Sequence, residues 1–246
     1  MSEQDQRRGI YLLPNLFTSA SLFSAFYSIV ASMTQQYEVA VIAIFICMIA
    51  DTLDGRVARL TNTESEFGAQ FDSLSDMVAF GVAPSLIAYS WALHGLGKIG
   101  WLICFSYTAA VALRLARFNV QHDTDDGRYF VGLPCPPGAG IVCGFIWFLA
   151  SWNILGSEKW VAIMLGVIMF STAALMVSNV AFYSFKDIDF KGKVPFVAIV
   201  MTCLVFIAIA LYPAMVLCFS FSLYGLSGII FAFKKKDEIE VKKSKE

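Results

Sequence analysis

Runs of about 20 apolar residues recur along this 246-residue chain, among them VAVIAIFICMIA, MVAFGVAPSLIAYSWAL and WVAIMLGVIMFSTAALMV with their flanks. A helix needs about that length to cross a hydrocarbon core of ~30 Å. In lipid every backbone polar group must be satisfied within the protein, so such runs form helices or a closed barrel. A barrel would show alternating ten-residue segments, and the chain has none. Hydrophobic residues make up 58% of the chain and charged residues 15%, a balance that excludes an ordinary soluble domain.

The pattern predicts an all-α, polytopic membrane bundle of about eight helices. The spans fall at roughly 14–34, 37–58, 70–93, 97–117, 138–155, 159–182, 194–212 and 214–233. Domain organisation follows: a cytoplasmic segment over 1–13, a transmembrane catalytic domain over 14–233 and a charged tail over 234–246. Two arginines precede the first span as in a signal peptide, but its length and the spans after it make it a retained anchor. Positive charge alternates between connectors. Arg7, Arg8, Arg56, Arg59, Arg114, Arg117, Arg128, Lys186, Lys191, Lys193 and Lys234 to Lys236 share one side, whereas MTQQYE, HGLGK and NILGSEK hold little. The positive-inside rule makes that side, and both termini, cytoplasmic, in a cell (inner) membrane.

Six cysteines lack any CxxC or ligand spacing and read as small core residues. A formal net charge of −1 leaves no basic footprint for nucleic acid.

One stretch contradicts its surroundings. DTLDGRVARLTNTESEFGAQFDSLSD, residues 51 to 76, carries four aspartates, two arginines and two glutamates between two apolar runs. Charges within a spanning helix cost at least about 2.5 to 3.5 kcal/mol each on insertion scales, so the cluster needs compensation. Asp51 lies fourteen residues past Tyr37, about 21 Å along a helix, and Asp76 seventeen before Leu93, about 25 Å, so two antiparallel helices carry carboxylates to one depth. Asp51 and Asp54 are three apart and Asp72 and Asp76 four apart, so each pair shares a helix face. Converging carboxylates repel unless neutralised. All-oxygen ligands select hard cations such as Mg²⁺, Mn²⁺ or Ca²⁺, and four aspartates suffice for a two-metal site. Gly55, Ala58 and Gly68 beside them leave room for a bulky ligand.

The pattern D51-x2-D54-G55-x2-A58-R59-x8-G68-x3-D72-x3-D76 resembles, at every fixed position, the signature of the CDP-alcohol phosphotransferase family. That resemblance implies transfer of a substituted phosphoryl group from a CDP-linked donor, usually CDP-diacylglycerol, to an alcohol, with release of CMP. It makes Asp51, Asp54, Asp72 and Asp76 the ligands of two divalent cations and Asp76 also the general base. It gives Gly55, Ala58 and Gly68 the space for cytidine, and Arg59 and Ser65 contacts to the nucleotide or its phosphates. LPNLFT resembles the family's Pro-Asn-x2-Thr element, so Asn15 and Thr18 either line the donor site or only begin and cap a helix. The family is commonly homodimeric.

The acceptor is read from RLARFN, residues 114 to 119, and FVGLPCPPGA, residues 130 to 139. Together these resemble the membrane-embedded phosphatidylserine synthases of the family, with Cys135 where a serine usually stands. The resemblance implies L-serine as acceptor and phosphatidylserine as product. Arg114 and Arg117, three apart, can face one cavity with Asn119 nearby, and a guanidinium fork suits a carboxylate or a phosphate. They can equally snorkel towards headgroups. Pro134, Pro136 and Pro137 stiffen a loop or re-entrant turn, or end a helix. HDTDDGR, residues 122 to 128, is a solvated loop rather than a calcium site. Two other readings stay open: a family enzyme making phosphatidylglycerophosphate, phosphatidylinositol phosphate or phosphatidylcholine, and a divalent-cation transporter. The second would need polar residues continuing across the membrane, and the outer halves of spans two and three are almost wholly apolar.

Overall fold

The computed structural model describes residues 3–61, 63, 65–121, 129–183 and 196–243. HDTDDGR and the connector with Lys186, Lys191 and Lys193 lie outside them.

Helices follow the apolar runs: α1 Glu3–Met33, α2 Tyr37–Thr61, α3 Glu66–Asp76, α4 Ala83–Trp91, α5 Lys98–Gln121, α6 Cys135–Ser151, α7 Lys159–Val177, α8 Phe196–Leu211 and α9 Pro213–Lys243. Four segments are long and apolar enough to cross a membrane, Asn15–Met33, Glu66–Trp91, Lys98–Val120 and Lys159–Val177, and shorter apolar helices accompany them. The chain is a multi-pass membrane protein.

α1 and α2 are joined by side-chain hydroxyls donating to carbonyls of the opposite helix. Ser28 reaches Ala40 and Ser24 reaches Ala43, each at 2.8 Å, and Ser21 reaches Cys47 at 3.5 Å. Lipid tails supply no hydrophobic drive between helices, so small residues and hydroxyls are what hold such a pair closely. The spacing along α1 carries one more hydroxyl, that of Thr18, to the polar end of α2.

α3 and α4 are one continuous helix interrupted by a π-helical turn, Met77–Val82. Ala83 N–H bonds the Val78 carbonyl, five residues back. Pro84 explains the position: it has no N–H to give, and its ring collides with the carbonyl four residues earlier in a regular α-helix. The wider turn accommodates that ring and shifts the face on which Asp72 and Asp76 lie relative to α4.

Pro134 caps α6 and Pro136 and Pro137 sit in its first turn, where a missing N–H leaves nothing unsatisfied. They start a helix rather than forming a loop or re-entrant turn or ending one. Before them, two three-residue strands that the pattern did not predict pair antiparallel, β1 Tyr129–Val131 with β2 Ala181–Tyr183. Gly132 follows at φ +82, with the Met176 carbonyl against the position a Cβ would take. Only glycine suits both the backbone and that approach. Leu133 N–H then bonds the Leu175 carbonyl at 3.1 Å, so the segment is tied to the end of α7.

Candidate active site

The ends of α2, α5 and α7 and the starts of α3 and α6 meet at one end of the bundle, and the acidic residues lie there. Carboxylate oxygens of Asp51, Asp72 and Asp76 come within 4.8 Å of one another. Asp72 Oδ1 and Asp76 Oδ1 are buried and have no hydrogen-bond partner among the described residues. Oxygens gathered this closely, and left unsatisfied, fit a divalent cation by charge and by ligand hardness. Asp54, one turn beyond Asp51, stands apart from that trio. It is buried and accepts a hydrogen bond from Thr18 Oγ1 at 2.9 Å. Ser75 Oγ donates to the Thr18 carbonyl at 3.4 Å, so α1 braces both acidic helices.

The glycine-rich side is open. A Cβ on Gly55 would meet nothing nearer than the Arg59 guanidinium at 4.0 Å. Arg59 itself folds back along α2, its Nε donating to the Gly55 carbonyl at 2.9 Å. Ala58 lies between them, half-buried. Ser65 caps α3 by accepting from Gly68 N–H at 3.0 Å. Gly68 packs more tightly: a Cβ there would stand 3.1 Å from Ser65 Oγ and 3.5 Å from Asn15 Oδ1. Asn15 and Thr18 are thus both at the site, one beside the α3 cap and the other on Asp54.

The arginines diverge. Arg114, half-buried, donates from Nη1 to Cys135 Sγ at 3.4 Å, and its buried Nε has no partner among the described residues. Arg117 instead donates from Nη2 to Asn179 Oδ1 at 2.8 Å, beyond α7. Asn119 bonds Ser73 on α3, its Nδ2 donating at 3.1 Å. Of the three, Arg114 is the one turned inward; Arg117 and Asn119 tie α5 to neighbouring elements. Ser73 and Asn179 carry no signal in the sequence: their bonds run to residues 46 and 62 positions away, and no local spacing marks them.

The architecture is that of a membrane-embedded helical protein with a cluster of carboxylates at one end of the bundle. Residues 11–177 match the CDP-alcohol phosphatidyltransferase family, and the chain belongs to that family. It is 39% identical over 223 residues to a CDP-diacylglycerol–serine O-phosphatidyltransferase of Helicobacter pylori strain J99, covering 90% of this chain and 91% of that one. A protein of the same description from Methanocaldococcus jannaschii is 34% identical over 183 residues, 74% of this chain and 80% of its own. One from Bacillus subtilis strain 168 is 32% identical over 174 residues, 71% and 91% respectively.

Proposed function

We propose that the protein is a phosphatidylserine synthase that transfers the phosphatidyl group of CDP-diacylglycerol to the hydroxyl of L-serine. The serine oxygen forms a bond to the diacylglycerol-bearing phosphorus, the bond from that phosphorus to the bridging oxygen breaks, and CMP leaves. The hydroxyl proton passes to Asp76, whose unpartnered Oδ1 is suited to receive it. The observation that carries the reading is the trio Asp51, Asp72 and Asp76, with Asp54 held beside it by Thr18.

In this reading the four aspartates hold two divalent cations, Mg²⁺ or Mn²⁺, with Ca²⁺ a substitute in vitro. Bound there, such ions would neutralise charge on the diphosphate and on the departing CMP. Asn15, Thr18, Gly55, Ala58, Arg59, Ser65 and Gly68 line the donor side. Arg114 receives the serine carboxylate, while Arg117 and Asn119 fix the end of α5 from which it projects. Support for serine comes from the relatives named above and from an inward guanidinium suited to a carboxylate. The reading further places the site and both termini on the cytoplasmic side, and it pairs the chain as a homodimer within the lipid.

The test offers purified protein CDP-diacylglycerol with L-serine, glycerol 3-phosphate, an inositol phosphate or choline, each labelled. Phosphatidylserine and stoichiometric CMP are expected from serine alone. A lipid product from another alcohol, with none from serine, would leave the family intact and discard this acceptor.

A further inference from the structure

One face of α2 carries a charge that no described residue answers. Ile46, Ile49, Leu53, Arg56 and Leu60 follow one another at steps of three or four residues, so they form a single stripe along the helix. All five are exposed, Ile49 by 62% and Leu60 by 83%. Asp51 and Asp54 lie off this stripe, and Asp54 is buried against Thr18. Because α2 runs beside the spanning part of α1, an exposed apolar stripe on it faces lipid tails. Arg56 interrupts that stripe, and it has no hydrogen-bond or ion-pair partner among the described residues.

Leu60 lies four residues beyond Arg56, so contact with lipid continues about 6 Å past the arginine backbone. A guanidinium at that depth needs an anion, and its long stem lets it snorkel to the phosphates of the headgroup layer. Its fork suits a phosphate. Of the two substrates, only the lipid donor arrives from the bilayer, and it carries a diphosphate. Arg56 also adjoins Gly55, whose open side takes the donor in the proposed function. Arg59 is likewise exposed, with its Nε on the Gly55 carbonyl at 2.9 Å. At 3.6 residues per turn, Arg59 points between the directions of Arg56 and Gly55. A phosphate that leaves Arg56 therefore meets Arg59 and then the open side of Gly55, with Asp51 about 7.5 Å further into the bilayer.

We infer that Arg56 is the first contact of the lipid donor, receiving its diphosphate from the bilayer before the phosphates reach the carboxylates. Arg56 falls at an unspecified position of the pattern that runs from Asp51 to Asp76. The inference rests on the phosphatidylserine synthase reading and goes beyond it by giving the donor a docking position at the lipid-facing side of α2.

Arg56→Ala, Arg56→Gln and Arg56→Lys are assayed with long-chain CDP-diacylglycerol in phosphatidylcholine vesicles and with a short-chain, water-soluble CDP-diacylglycerol. One basic residue at a membrane surface corresponds to roughly fivefold in the binding of anionic lipid. Arg56→Ala and Arg56→Gln should lower kcat/KM for the vesicle donor by about that factor, and Arg56→Lys, which keeps the charge, should recover most of it. The soluble donor bypasses the bilayer, so kcat/KM for it should stay within about twofold of wild type, as should the KM for serine. Arg56 is exposed, and an unchanged melting temperature checks that the variants keep the fold. Unchanged kcat/KM for the vesicle donor, an equal loss with both donors, or no recovery in Arg56→Lys would overturn the inference. A loss accompanied by a change in the mass of the detergent-solubilised particle would make the stripe an interface between copies and overturn it as well. Wild-type protein that never turns over CDP-diacylglycerol defeats the underlying reading and this inference together, whereas a normal wild type with indifferent variants defeats this inference alone.

Discussion

Thr18 and Gly55 separate what the fold needs from what a ligand needs. Thr18 Oγ1 donates to Asp54, a contact that orients a carboxylate proposed as a metal ligand. Partners of metal ligands typically contribute 10- to 100-fold to affinity or activity. Thr18→Val should therefore lower turnover by roughly that factor, and added Mn²⁺ should recover part of it. Gly55 is different, because its backbone is helical and a Cβ there has open space. Alanine is favoured over glycine within a helix by roughly 0.5–1 kcal/mol, so Gly55→Ala should raise the melting temperature slightly. If the space is for the donor, the same variant should weaken CDP-diacylglycerol, a split that thermal unfolding and kinetics read together. Gly55 and the four aspartates stand out in the sequence because their motif is local: Asp51 to Asp76 lie within two helices and one turn. Ser73 and Asn179 were not legible, because only tertiary packing brings them to Asn119 and Arg117 of α5.

Among the elements, the α1–α2 pair and the interrupted α3–α4 helix position the carboxylates. Hydrogen bonds between membrane helices average about 0.6 kcal/mol in double-mutant cycles. Ser24→Ala and Ser28→Ala should thus each destabilise the protein by about that amount, measured by unfolding in detergent, while leaving KM values alone. The π turn is a stronger lever. Deleting Ala79 would restore a continuous α-helix and rotate α3 by about 100° relative to α4, turning Asp72 and Asp76 away from Asp51. Activity should vanish while the helical content by circular dichroism persists. The apolar runs disclosed the helices and their order. They did not disclose the π turn, although Gly81 and Pro84 mark its location, nor the two strands, which are too short for a period-2 signal. The prolines at 134, 136 and 137 were visible, but whether they end or begin a helix depends on the tie from Leu133 to α7.

For the whole molecule, the proposal sets the active end on the cytoplasmic side, where CMP and serine exchange with water while acyl chains stay in lipid. Phe182 of β2 packs against Tyr224 of α9 with ring centroids 5.8 Å apart, so the last helix also reaches the end that holds the strands. Glu66→Cys, placed at an exposed position in a variant stripped of native cysteines, should react with a membrane-impermeant maleimide in inverted vesicles and be protected in intact cells. Reversed labelling would invert the topology. This proposed orientation rests on alternating charge in the connectors, because cytoplasmic positive charge acts over short loops whatever their fold.

Turnover of CDP-diacylglycerol and L-serine in buffer stripped of divalent cations, before and after Mn²⁺ or Mg²⁺ is restored, bears most directly on the carboxylate cluster. Phosphatidylserine and CMP should be absent without metal, appear on its return, and stay absent at every metal concentration in Asp51→Asn and Asp72→Asn. Full turnover in metal-free buffer, or wild-type rates in either variant, would contradict the account.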